Sequence, residues 1–161
     1  TPQSPNCLFC PLSGSCRALS EGKVQQLPVK QHRTKTTNRY FNYIYVRMGA
    51  HTLIHKRTED DIWKNLFELP LVETEKDLSE EEFLACPQFH ALFAEGEVRM
   101  VRTLLRGVKH VLSHRVIYTN FYEVTLPDNS SSFSSYQRVA VEDLGRYAVP
   151  RLIHAFLEKY V

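Results

Sequence analysis

The run YFNYIYVRM (40–48) constrains this chain more than any other segment. Side chains this rich in aromatic and β-branched types suit a pleated, half-buried surface. Gly49-Ala50 then give a turn signal and HTLIHKR (51–57) resumes the pattern, which predicts a β-hairpin over roughly residues 40–57. Upstream, residues 1–20 are rich in Pro and Ser and read as loop, while residues 21–39 hold few large apolar side chains and five positive charges. That is the composition of a linker. Of 161 residues 43% are apolar, enough for one domain with its own core, and the core must come from residues 40–161.

Downstream, IWKNLFELPLVE (62–73) contains a further strand closed off around Pro70. Ser79-Glu80-Glu81-Glu82 matches a capping box, so a short helix is expected there, ending before Pro87. PQFHALFAEG (87–96) is a second short helical segment, and residues 98–126 read as two or three strands. DNSSSFSSY (128–136) reads as a loop and QRVAV (137–141) as a last strand. Pro150 then opens a helix with Leu152, Ile153, Phe156, Leu157 and Tyr160 on one face. Strands mixed with a few helices give an α+β domain with a mixed sheet.

Net charge is only +2, but it is unevenly spread: +8 over residues 1–58, −10 over 59–97 and +4 over 98–161. Basic ends suit phosphate contacts, and an acidic middle would be kept away from nucleic acid. Arg99, Arg102, Arg106, Lys109 and Arg115 form a run of basic residues with no acid among them. No stretch approaches the ~20 apolar residues of a membrane span. The opening TPQSPNCLFC has neither the basic start nor the apolar run of a signal peptide, so a cytoplasmic protein without membrane partners is expected.

Cys7, Cys10 and Cys16 stand in a C-x2-C-x5-C pattern, with Cys86 far away. Close cysteines in an intracellular chain read as metal ligands. Zinc and iron–sulfur centres use four ligands, so the set is one short. Cys86, His32 or a residue before Thr1 could complete it.

Five segments, in this order, resemble the end of the MutY family of adenine DNA glycosylases. The cysteine pattern is similar to the last three ligands of that family's C-x6-C-x2-C-x5-C four-iron, four-sulfur loop, whose first Cys would fall just before Thr1. LPVKQHRTKTTNRYF resembles the connector to the family's C-terminal domain. KRTEDDIWKNLFELP resembles its KR…W-x-G-L-W-E-F-P segment, with Asn65 for Gly, Phe67 for Trp and Leu69 for Phe. VLSHRVIY resembles the F-S-H loop with Leu112 for Phe, and YAVPRLIHAFL the closing Ala-Met-Pro helix.

The resemblance implies a Nudix-like α/β/α sandwich over residues 40–161, following a remnant of the iron–sulfur loop at 1–20 and a basic interdomain linker at 21–39. It implies a parent enzyme in base excision repair that hydrolyses the N-glycosidic bond of adenine mispaired with 8-oxoguanine, nucleoid-associated if bacterial. This piece, expected to be trimmed from the catalytic domain, would recognise the lesion in double-stranded DNA and cleave nothing by itself. The cluster would belong to the parent and be absent from this piece. Leu112, Ser113 and His114 would read the lesion; Lys30, Arg33, Lys35, Arg106, Lys109 and Arg115 are candidate phosphate contacts.

8-Oxoguanine presents N7–H as a donor and O8 as an acceptor. A serine hydroxyl oxygen can accept from the first, while its fixed backbone N–H donates to the second. A polar turn between two strands would carry the same residues without any such role.

Two other functions would suit a domain of this kind. A Nudix pyrophosphohydrolase needs the family's G-x5-E-x7-R-E-x2-E-E box, but LFELPLVETEKDLSEEEFLACP has no Gly and no Arg. Adjacent Glu80, Glu81 and Glu82 cannot all face one metal. A non-catalytic interaction module would use the acidic stretch 73–82 and the loop 128–136 to meet a repair or replication protein.

Overall fold

A computed structural model describes residues 4–27, 29 and 36–161, in two compact units, Thr1–Lys35 and Thr36–Val161. Lys30, Arg33, Lys35 and His32 lie outside the described residues. In the first unit, 3-10 turns at Cys7–Phe9, Ser13–Ser15 and Val24–Gln26 flank a one-turn helix α1 (Arg17–Ser20). None of its described residues is buried, and Leu8, Phe9 and Leu12 are exposed.

The second unit is built on a four-stranded mixed sheet of order β4-β1-β6-β5, with β1 Thr37–Arg47, β4 Leu71–Thr74, β5 Met100–Val111 and β6 Arg115–Thr125. β1 and β6 run parallel; the other neighbours are antiparallel. A smaller antiparallel sheet joins β3 (Phe67–Glu68), β2 (His51–Lys56) and β7 (Gln137–Ala140). α2 is Glu80–Leu84, α3 is Pro87–His90 and α4 is Arg151–Tyr160.

Alternation along β1 sends Phe41, Tyr43 and Tyr45 to one face and Ile44 and Val46 to the other. The first face packs with Ile54, Leu69 and Val139 around the small sheet and with Leu152, Ile153 and Phe156 of α4. Phe121 and Phe156 stack there with centroids 4.1 Å apart. The second face packs with Phe83 of α2 and Phe89 of α3. Helices on both faces of a mixed sheet make the α/β/α sandwich that the sequence led us to expect.

Two local expectations change. β1 and β2 do not form an extended hairpin: after the Met48–His51 bridge they part into different sheets. β1 is a central strand with β4 on one side and β6 on the other, so it has no edge left for β2. The turn itself is as read: Gly49 has φ 58°, and a Cβ there would stand 2.8 Å from Asp128 Oδ1. Pro70 does close off a strand, as expected: β3 ends at Glu68 and a separate strand, β4, starts at Leu71 along β1, while the Pro70 carbonyl accepts from the Ile44 amide at 2.8 Å. Finally, β1 begins at Thr37, because Thr37–Arg39 pair with Arg115–Ile117, a partner remote in sequence. The region 98–126 resolves into two long strands, and a 3-10 segment at Val141–Arg146, not anticipated, links β7 toward α4.

Candidate nucleic-acid interface

β5 and β6 form an antiparallel ladder from Met100–Thr125 to Val111–Val116. Its register slips between Thr103 and Val108, where Gly107 takes φ 68° and its amide donates to Asn120 Oδ1 at 2.9 Å. This bulge redirects the distal part of β5, which carries Lys109. The ladder ends in the three-residue turn Leu112-Ser113-His114.

That turn is held from several sides. The Leu112 amide donates to the Arg115 carbonyl at 2.8 Å, and the Thr37 amide donates to the His114 carbonyl at 3.1 Å. The Leu112 side chain packs against the core, so it anchors the turn. Ser113 and His114 are left exposed. Leu112, Ser113 and His114 are thus brought together at one hairpin tip, with the polar pair outward.

The basic run divides in two. Arg102 pairs with the buried Glu123 at 3.0 Å, Arg106 donates to the Leu78 carbonyl at 2.6 Å and lies 4.0 Å from Asp77, and Arg115 pairs with Asp61. Arg99 and Lys109 are exposed and make no ion pair among the described residues. Of the three expected phosphate contacts described here, Lys109 is therefore the unencumbered one.

Behind the turn lies a charged network absent from the sequence-based expectation. Asp61 Oδ2 accepts from Arg39 Nη1 at 2.6 Å and Arg57 Nη2 at 3.2 Å. Arg39 also donates to both oxygens of Glu73, and Arg57 to both oxygens of Glu68. Partial burial raises the Asp61 pKa, but hydrogen bonds from Arg39, Arg115 and the Ile62 amide outweigh it and hold the carboxyl well below the usual range. Burial similarly raises Glu68, and His55, Arg57 and Tyr43 together hold it below its ordinary value. For Arg39, pairing with Glu73 raises the pKa further above its already high value. The signal missed was period-2 alternation, which puts Arg39 on the same face of β1 as Phe41 and Tyr43.

The loop between β2 and β3 carries this network. Trp63 takes φ 59° and Asn65 φ 70°, and the Asn65 amide donates to the Arg57 carbonyl at 2.8 Å. The left-handed region favours Gly and tolerates Asn best among the others. Asn65 thus fits where the resembling family pattern has Gly. The Trp63 ring stands 5.8 Å from that of His110, tying the loop to β5.

On the other face, Glu82 of α2 is committed to its capping box. Glu82 accepts from the Ser79 amide at 2.8 Å and its own amide donates to Ser79 Oγ at 3.1 Å. No three His, Cys, Asp or Glu side chains form a group able to hold a metal ion among the described residues. Cys7, Cys10 and Cys16 are free, half-buried thiols: Cys7 and Cys10 bracket one 3-10 turn and Cys16 closes the next.

The NUDIX domain family pattern matches residues 42–159, and the chain belongs to that family. Within it, the chain fits the C-terminal Nudix-like domain of the MutY adenine DNA glycosylases. Two proteins named adenine DNA glycosylase are similar. That of Buchnera aphidicola subsp. Schizaphis graminum is 32% identical over 74 residues, 46% of this chain and 21% of the relative. That of Buchnera aphidicola subsp. Acyrthosiphon pisum is 24% identical over 159 residues, 97% of this chain and 43% of the relative. The matches therefore span less than half of either relative.

Among solved structures, the C-terminal domain of mouse MUTYH, in complex with human PCNA, superposes with a TM-score of 0.57 at 15% identity, over 76% of this chain and 86% of that one. The MutT protein of Methanosarcina mazei Go1 gives 0.51 at 17% identity, over 79% and 95%. At these identities the likeness is one of fold.

Proposed function

We propose that this domain recognises 8-oxoguanine opposite mispaired adenine in duplex DNA, as the C-terminal part of an adenine DNA glycosylase. The observation that carries the reading is the β5–β6 turn. Ser113 and His114 project into solvent from a tip whose backbone is bonded to β1 and whose half-buried Leu112 packs against the core. A fixed Ser113 amide and a hydroxyl oxygen beside it match the O8 acceptor and N7–H donor of the lesion. Exposed Lys109 nearby on β5 supplies a phosphate contact. Hydrolysis of the adenine N-glycosidic bond belongs to the part of the enzyme outside this chain.

The test compares binding of the chain to duplexes that differ only in carrying A·8-oxoguanine or A·G, each over a salt titration. Tighter binding to the lesion duplex at every salt concentration supports the reading; equal binding refutes it. The same preparation, incubated with Mg2+ and 8-oxo-dGTP, is expected to show no turnover. Steady hydrolysis lost in Glu81→Gln would favour a nucleotide hydrolase instead.

A second contact, with a repair or replication protein, is favoured by an apolar cavity of about 580 Å3 lined by Leu84, Phe89, Phe93, Val98 and Val101. Val98→Asp should abolish such a contact while leaving duplex affinity intact; loss of both would refute a separate protein site.

A further inference from the structure

Arg115 follows the Ser113–His114 turn directly, and its guanidinium is directed at Asp61 rather than at solvent. Asp61 gathers three guanidinium groups, from Arg39 on β1, Arg57 at the end of β2 and Arg115 at the start of β6. Arg39 and Arg57 have second acids, Glu73 and Glu68. Arg115 does not: among the described residues, Asp61 is the one acid it pairs with. Three arginines therefore face three acids, and this cluster behind the turn carries no net charge, which leaves Lys109 as the exposed cation nearby. The side chain of Asp61 is 19% exposed and that of Arg115 36%, so the released Arg115 head would reach solvent.

We infer that Asp61 is a specificity-determining positioning residue: it fixes the turn through Arg115 and withholds that charge from DNA phosphate. This rests on the turn being the lesion reader. A free arginine beside the reader would add affinity for any duplex, because each neutralised phosphate releases counterions regardless of sequence. Pairing it with Asp61 removes that sequence-blind contribution and leaves contacts that depend on the base. Strong depression of the Asp61 pKa keeps the pair charged at neutral pH.

Asp61→Asn tests this in the 161-residue chain. Affinity for A·8-oxoguanine and A·G duplexes is measured over a salt titration, with thermal unfolding as a check on folding. On the A·G duplex we expect tighter binding and a salt slope steeper by about one, the slope of one added phosphate contact. Preference for the lesion should fall about fivefold, the reach of one hydrogen bond lost from register. Adding Arg115→Gln to Asp61→Asn should return the slope to its original value.

A slope unchanged in Asp61→Asn, or equal weakening on both duplexes, overturns the inference and leaves Asp61 a structural residue only. Should Asp61→Asn not fold, Arg115→Gln alone decides. Loss of lesion preference without a shallower slope supports the positioning role; a slope shallower by about one means that Arg115 already contacts phosphate. If the unsubstituted chain shows no lesion preference, the proposed function fails, while the slope of Asp61→Asn still reports whether Arg115 was withheld.

Discussion

Replacing Glu68 with Ala removes the carboxylate at the centre of the buried charge network. Glu68 is 2% exposed. Its two oxygens each lie 2.8 Å from Arg57 Nη1, Tyr43 donates its hydroxyl at 2.9 Å and His55 Nε2 stands 3.2 Å away. Breaking a buried pair by deleting one partner costs about 3–5 kcal/mol, because the other charge is left without compensation. Arg57 would keep Asp61 and the Ile62 carbonyl, which argues for the lower end. The stranded Tyr43 hydroxyl adds about 1 kcal/mol, so Glu68→Ala should cost about 4 kcal/mol. A domain of this size has about 5–15 kcal/mol in all, so the variant should fold but unfold at much lower urea. Glu68→Leu combined with Arg57→Met removes both charges and should cost far less than the single change.

The pH dependence follows from the same geometry. The Glu68 pKa is lowered on folding, so its contribution is fully present above the unfolded-state value of about 4.3 and is lost as pH falls through the folded value. The gap between Glu68→Ala and the unsubstituted chain should therefore narrow in acid. Urea unfolding followed by circular dichroism at pH 7 and at acid pH measures both. A cost under about 1 kcal/mol at pH 7, or a double variant as unstable as the single, would refute the reasoning.

Asn65→Gly should be neutral or slightly stabilising and Asn65→Val should cost about 1–2 kcal/mol, since φ 70° suits Gly and penalises a β-branched side chain; equal melting temperatures for the two would contradict this. Glu97, held at a pKa of about 2 by hydrogen bonds from the Ser130 hydroxyl, the Ser131 amide and the Ser132 hydroxyl, should secure the loop above the ordinary carboxylate pKa and release it as pH falls through about 2. Hydrogen exchange at Ser131 and Ser132 that Glu97→Gln leaves unchanged at pH 7 would argue against that role. Anaerobic reconstitution of the chain with iron and sulfide is expected to yield no four-iron cluster; about four irons per chain with matching visible absorbance would overturn it.

Local chemistry was legible where partners lie close in sequence. The Ser79 capping box, the helix after Pro150 and the turn at Gly49 all appear where their residues put them. What the pattern could not reveal was pairing across long separations. β1 and β2 looked like a hairpin because their residues alternate alike, yet the edges of β1 are taken by β4 and β6. The same limit hid Asp61: three arginines spread over 77 residues converge on it only once β1, β2 and β6 are in place. The Ser113–His114 turn was visible as a motif, but its anchoring through Leu112 and Thr37 is tertiary.

The central claim is tested most directly at Ser113. Ser113→Ala removes the hydroxyl and keeps the backbone N–H, and Ser113→Pro removes both donor and hydroxyl. With folding verified by circular dichroism, affinity for A·8-oxoguanine and A·G duplexes is measured at one salt concentration. Ser113→Ala should weaken lesion binding by about 1 kcal/mol, Ser113→Pro by more, and neither should change binding to the A·G duplex. Equal weakening on both duplexes would mean that Ser113 only positions the backbone, and that the lesion is read elsewhere.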